Sequence, residues 1–464
     1  MTTDALHRRT MRLLFCTQIL GAVGVAIGIS VGALLTSQIA GTRLSGLAQS
    51  GAVVGGALLA IPVTRVTAAR GRRPGLVLAY AVGAVGALLT VAGATLVSVP
   101  LLFGGLVLFG GGTTANLQAR YAAVDLAPAD RRGRHLSLIV WATTLGAVAA
   151  PLLAPLADRL VGGLSLAPLS GPFVVSAVAF VVGGSTLFVL LRPDPLLAAR
   201  AAAATEAAAP TAPTGTPAVA GTPTVAAVSG GPAVSVASPP AGRAVAPAGC
   251  GTAAESGAPA ETAAAPRIGM RAAFAVVVAE PYARLGIGAV ALGHLVMVGV
   301  MAMTPVHLGA HHHPDDVLAV VGVVLSLHIA GMYALSPLVG LLADRIGRCP
   351  VVGLGAVVLA AACLAAATAG HDTTRLAVAL TLLGFGWSGT MVAGSTMLTE
   401  HVPLAVRPAA QGLSDLIMGL AGAGAGAVSG FVVAGWDYRA LALAAALATV
   451  PLALWTLRPG RVRT

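Results

Sequence analysis

An all-α membrane protein of twelve transmembrane helices, packed as two pseudo-symmetric six-helix bundles, is the fold this sequence predicts. Three observations predict it. The 464 residues are 57% hydrophobic and only 9% charged, where a soluble domain carries about 25% charged residues. The apolar residues fall into twelve runs, each close to the ~20 residues that cross a bilayer core. Two short motifs recur in the second half of the chain at nearly one offset.

The mean hydropathy of +0.90 leaves too few polar groups to cover a globule of this size, so lipid is the expected solvent. The breaks between apolar runs place spans at 12–36, 46–66, 75–97, 100–124, 136–160 and 171–191. A second set follows at 284–308, 317–341, 351–370, 375–398, 411–433 and 438–457. The basic N-terminus leads into an apolar run too long for a signal segment, so the first span is expected to stay uncleaved. Residues 193–266 are rich in Ala, Pro, Thr, Ser and Gly and lack periodicity, the composition of a disordered linker. The predicted organisation is an N-terminal bundle over 1–192, a linker over 193–266 and a C-terminal bundle over 267–464.

The formal charge of +11 comes from 27 basic residues, all arginine. They cluster in short loops between apolar spans, which suits topology and anionic lipid and gives no nucleic-acid groove. One side of the membrane gathers Arg8, Arg9, Arg65, Arg70, Arg72, Arg73, Arg131, Arg132, Arg134, Arg345, Arg348, Arg407 and the arginines of the C-terminus. The other side has mainly Arg43, Arg375 and Arg439. The positive-inside rule then puts both termini and the linker in the cytoplasm, with the protein in a bacterial inner membrane. The four cysteines, Cys16, Cys250, Cys349 and Cys363, are widely spaced and suggest neither a disulfide framework nor a zinc site.

The repeat is specific. Gly71-Arg72-Arg73 follows the second span and Gly347-Arg348 follows the eighth, 276 positions on. Pro128-x-x-x-Arg132 precedes the fifth span and Pro403-x-x-x-Arg407 the eleventh, 275 positions on. A duplicated six-helix unit explains both. Parallel repeats with a substrate site between them are a transporter architecture.

The segment Gly340-Leu-Leu-Ala-Asp344-Arg345-Ile-Gly347-Arg348 closely resembles the loop signature G-x-L-A-D-R-x-G-R of the major facilitator superfamily. The resemblance spans nearly the whole chain outside the linker and implies transport by alternating access, with a monomer as the usual state. In this reading Gly340 and Gly347 permit close approach and a tight turn, and Asp344, Arg345 and Arg348 form a gate. The first-half copy has Thr64, Ala68 and Ala69 where the signature has Gly, Asp and the first Arg, leaving Gly71, Arg72 and Arg73. Gly146-x-x-x-Ala150-Pro151 resembles the superfamily's antiporter signature with one glycine missing.

Ionisable residues inside the spans are scarce. Span one has Gln18 and no carboxylate, and span four has Asn116, Gln118, Arg120 and Asp125 toward its terminal-side end. Gln18, Asn116, Gln118, Trp141 and Trp387 are candidates for a central cavity. Soft ligands are abundant: four of ten Met and six of ten His fall between 294 and 332. Met297 and Met301 share a helix face, joined one turn earlier by His294, and His328 and Met332 share another. Thioether and imidazole ligands suit Cu(I). Met-x-x-x-Met in span seven with His-x-x-x-Met in span eight resembles the copper importers of the superfamily, the CcoA-like branch. That resemblance implies Met297, Met301, His328 and Met332 as ligands for copper as a transported ion, with no permanently bound cofactor. The alternative is that these methionines fill gaps between helices and His328 is a hydrogen-bonded core residue.

Two functions therefore remain open: a transporter of Cu(I) or another soft metal, and a proton-coupled transporter of a small organic solute or drug. A non-transporting membrane sensor on the same fold is a third class without a supporting motif. No nucleotide-binding loop or catalytic constellation is present, so an enzyme is not expected.

Overall fold

The computed structural model describes residues 3–125, 132–208, 270–403 and 406–457. All described regular structure is helical. In the first half the helices are α1 (Thr3–Ala40), α2 (Thr42–Ser45), α3 (Leu47–Arg70), α4 (Arg72–Thr95), α5 (Val99–Val124), α6 (Arg132–Val161), α7 (Gly171–Leu190) and α8 (Pro195–Ala208). In the second they are α9 (Met270–Ala279), α10 (Pro281–Gly309), α11 (Pro314–Tyr333), α12 (Ser336–Ile346), α13 (Arg348–Ala367), α14 (Thr373–His401), α15 (Arg407–Gly435) and α16 (Tyr438–Thr456).

Twelve stretches among the described residues are long and apolar enough to cross a membrane, and each overlaps one expected span. Helices α11 and α12 together make the eighth. The expected linker begins too early: residues 195–208 are helical, and the Arg200 side chain donates to the Ala68 carbonyl at 3.1 Å. The rest of that linker, from 209, lies outside the described residues.

Local chemistry sets the helix ends. Proline sits in the first turn of α5, α10, α11, α12 and α15, where no backbone donor is lost. Asp372 and Asp437 cap α14 and α16 by accepting from Arg375 N at 3.0 Å and Ala440 N at 2.6 Å. Gly71 and Gly347 break the chain between helices with φ of +99° and +93°, a region that favours glycine.

Within the first half, Tyr80, Phe109, Phe173 and Phe180 are fully buried. Phe180 presses on Gly24 and Gly112, where a Cβ would collide with its ring. Small residues thus let helices approach closely around a few large rings, as lipid-embedded helices require.

The halves meet toward the side opposite the termini. Ser50, near the start of α3, donates to the Ala423 carbonyl of α15 at 2.6 Å, and Ser326 of α11 donates to the Val148 carbonyl of α6 at 2.7 Å. Gly46 lies against the Gly426 backbone, and Gly430 against Thr42 and Arg43. Lower on the same faces the helices separate. On α6 the face that carries Val148 and Leu152 continues through Leu145, Trp141 and Leu138, each more than 40% exposed. Ile61 on α3, Leu416 on α15 and Leu335, at the start of α12, are likewise exposed. A vestibule therefore opens toward the terminal side, below a closed far-side seam.

Candidate functional site

Above the vestibule a cavity of about 250 Å³ lies between the halves. The first half contributes the small-residue face of α1 from Ala22 to Ala33, with Gln49, Asn116, Thr143 and Pro151. The second contributes His294, Met297 and Met301 from α10, with Leu325, Met332 and Tyr333 from α11. Phe109 and Phe173 complete an apolar wall. Among the described lining residues there is no carboxylate, guanidinium or ammonium group.

The polar points on this wall are held from behind. Gln18 is fully buried and donates to the Asn116 carbonyl at 3.3 Å and to Thr143 Oγ1 at 2.8 Å. Tyr80 donates to the Thr17 carbonyl at 3.2 Å and to Asn116 Oδ1 at 3.4 Å. In the second half, Trp387 Nε1 donates to His294 Nδ1 at 3.2 Å. Tyr333 meets Trp387 edge-on at 5.7 Å between ring centroids. Because Nδ1 accepts, the neutral His294 ring carries its proton on Nε2.

Several expected placements need correction. His328 is fully buried and absent from the cavity wall; its Nδ1 is 2.7 Å from the Leu380 carbonyl of α14. The α11 face bearing His328 packs on α14, and its Nε2 finds no partner among the described residues. Thus Met297, Met301, Met332 and His294 converge on the cavity and His328 does not join them. Gln118 is also not a cavity residue: its Oε1 accepts from Arg72 at 3.2 Å and its Nε2 donates to Thr64 at 3.2 Å, near the terminal-side end of α5. Trp141 is 58% exposed on the vestibule face of α6, and Trp387 stands behind the wall rather than in it.

The signature loops lie at the terminal side. In the second half, Arg348 is 3.0 Å from Asp344 and 2.9 Å from Glu400, and donates to the Ala343 carbonyl at 2.7 Å. These partners belong to the same half, and among the described residues Asp344 has no ion-pair partner across the bundle interface. Arg345 is exposed, and a Cβ at Gly340 would meet open space. In the first half, Arg72 makes a two-pronged contact with Asp125, at 2.7 and 3.1 Å. The Arg73 backbone N–H donates to Asp194 at 2.7 Å, and the Arg73 guanidinium lies over the Phe188 ring at 5.6 Å. The acids that close each loop, Asp125 and Glu400, escaped the sequence reading of the gate. The available signal was their separation of 275 positions, at the ends of equivalent helices.

Comparison with known proteins agrees with this geometry. The family model described as Major Facilitator Superfamily matches residues 286–464. The chain is 32% identical to the MFS-type transporter YdeG of Bacillus subtilis strain 168, over 97% of this chain and 93% of that protein. A stretch of 143 residues, 31% of this chain and 35% of the relative, is 31% identical to the riboflavin transporter RfnT of Brucella anthropi. Among solved structures, a bacterial homologue of the human lysosomal transporter Spinster, inward-facing and unoccupied, superposes with a TM-score of 0.64 at 14% identity. That likeness covers 97% of this chain and 96% of the other, and is one of fold. With its duplicated helical halves, central cavity and full-length relatedness to YdeG, the chain belongs to the major facilitator superfamily and is a multi-pass membrane transporter.

Proposed function

We propose that the protein is a secondary transporter that moves a small, uncharged, mainly apolar organic solute by alternating access. The observation that carries this is the cavity between the halves, apolar over most of its wall and free of ionic side chains among the described lining residues. A charged solute entering such a wall would lose its hydration without a counter-charge. A neutral one buries apolar surface and finds hydrogen-bonding points at Asn116, Gln49, Tyr333 and His294. Arginine distribution supports cytoplasmic termini in a bacterial plasma membrane. On that orientation the vestibule opens to the cytoplasm.

A second reading is Cu(I) as cargo. Its support is the thioethers of Met297, Met301 and Met332 on the same wall as His294. The comparisons lend it no relative, and His328 lies off the wall.

The test is uptake into proteoliposomes. A panel of neutral solutes is offered, beginning with riboflavin because of the partial likeness to RfnT, with and without a proton gradient. Radioactive Cu(I) under reducing conditions forms a separate arm. Saturable uptake of a neutral solute, reduced about tenfold or more by Asn116→Leu, supports the organic reading. Copper uptake that survives Asn116→Leu and is lost on combined Met297→Leu and Met301→Leu replaces it with the second.

A further inference from the structure

The polar groups on the cavity wall are not interchangeable, because the protein fixes the direction of most of them. Thr143 gives its hydroxyl hydrogen to the Ile139 carbonyl at 3.1 Å and accepts from Gln18 Nε2 at 2.8 Å. Ser30 gives its hydrogen to the Ile27 carbonyl at 2.7 Å. Both hydroxyl hydrogens are spent on their own helices, so neither residue offers the cavity a donor. Asn116 is set the other way. Its Oδ1 accepts from Tyr80, itself anchored on the Thr17 carbonyl, which leaves the Nδ2 hydrogens free. His294 is set by Trp387, whose Nε1 occupies Nδ1 and leaves the ring hydrogen on Nε2. Neither Asn116 Nδ2 nor His294 Nε2 has a protein partner among the described residues, and neither is sealed from open space. Both side chains line the cavity, so these N–H groups open into it. The His294 edge that carries Nε2 faces Gly422, where a Cβ would lie 2.9 Å from that nitrogen.

We infer that the cargo is a neutral, flat aromatic solute with hydrogen-bond acceptors, carbonyl oxygens or unprotonated ring nitrogens, on two opposite edges. This inference rests on the neutral-solute reading above and gives that solute a chemical class. The two fixed donors come from different halves, Asn116 on α5 and His294 on α10, so a solute between the halves needs an acceptor toward each. An N–H left without an acceptor in a dry wall is costlier than a hydroxyl oxygen with a spare lone pair. A donor-only solute would set hydrogen against hydrogen at both points and lose its own hydration. Gln49 and Tyr333 also line the cavity, and their side chains make no hydrogen bond among the described residues, so they can turn to suit the rest of the solute's rim. The flat aromatic body follows from what flanks it. The thioethers of Met297, Met301 and Met332 and the rings of Phe109 and Phe173 form the apolar wall. Thioether sulfur and aromatic rings both gain contact energy against another ring, beyond the burial that an alkyl chain would also provide.

The experiment measures equilibrium binding of radiolabelled caffeine to the full chain in lipid nanodiscs, with empty nanodiscs as the partition control. Caffeine is neutral and aromatic, carries acceptors on opposite edges and has no N–H or O–H. Coumarin carries its acceptors along one edge, and indole has a donor and no acceptor. Saturable caffeine binding is expected, with coumarin about tenfold weaker as a competitor and indole weaker still. Asn116→Leu and His294→Phe should each weaken caffeine about tenfold and so remove its advantage over coumarin. If His294→Phe fails to fold because Trp387 Nε1 is left unpaired, His294→Leu combined with Trp387→Phe removes both partners and should give the same loss. Indole that competes as well as caffeine, or caffeine affinity unmoved by both substitutions, overturns the acceptor rule while the neutral-solute reading stands. Absence of saturable caffeine binding also overturns the inference, and binding of tetraphenylphosphonium in its place overturns the neutral-solute reading with it.

Discussion

The two signature loops occupy equivalent places and solve the same problem with different partners. In the second half Arg348 reaches Asp344 and Glu400, whose side chains are 68% and 44% exposed. In the first half the position of Asp344 is taken by Ala68, and Arg72 instead forks onto Asp125, with both side chains 15% exposed or less. Gln118 and Thr64 extend that contact. The departure of the first loop from the signature therefore does not leave it unlatched. The charge partner has been moved from the loop to the end of α5, into a drier setting. An intact motif marks the second loop more clearly, but the degenerate one holds the better-shielded ion pair.

Five substitutions sharpen this contrast. The largest effect is expected from Arg72→Ala, which strands the buried Asp125 carboxylate and should cost about 3 kcal/mol. Arg348→Ala leaves mostly exposed acids and should cost about 1 kcal/mol or less. Apparent melting temperature in detergent, followed by tryptophan fluorescence, should rank the two in that order. Equal losses would mean that exposure does not separate the loops.

Next come the turns. Gly71→Ala and Gly347→Ala both force a side chain into positive φ, at about 1–2 kcal/mol. At Gly71 the new Cβ also meets the Asp194 carboxylate, while at Gly347 it meets only the edge of Pro350 at 3.7 Å. Gly71→Ala should therefore be the worse variant in the same melting measurement, and a reversed order would show that Asp194 moves aside freely. The smallest effect belongs to Ala68→Asp, which rebuilds the signature. Arg72 is already satisfied, so stability should change by less than about 0.5 kcal/mol. A clear gain would show that Asp125 alone leaves the guanidinium under-bonded.

The spans were legible because lipid imposes one rule on every spanning helix: some twenty residues without unpaired polar groups. The glycine turns at Gly71 and Gly347 were legible because positive φ nearly restricts the residue type. Helix rotation was not legible. Both faces of α11 are apolar, since one meets the cavity and the other meets α14, so spacing could not tell which carried the wall. Met332 and His328 share a turn, yet only Met332 reaches the cavity. The same ambiguity made both Gln118 and Trp141 candidates for the cavity. Asn116, His294, Met297 and Met301 were found from sequence because polar or soft side chains are unusual within such spans and stand out. The helix over 195–208 was missed because its alanines read as low-complexity linker.

The far-side seam is built from neutral backbone: Gly46 against Gly426, Gly430 against Thr42 and Arg43, and serine hydroxyls on the carbonyls of Ala423 and Val148. Such contacts carry no net charge for dissolved ions to screen, whereas the exposed pairs of Arg348 with Asp344 and Glu400 weaken as the Debye length shortens. Ionic strength is thus a one-sided lever on this molecule. Concentrated salt leaves the seam intact while it loosens the second-half loop.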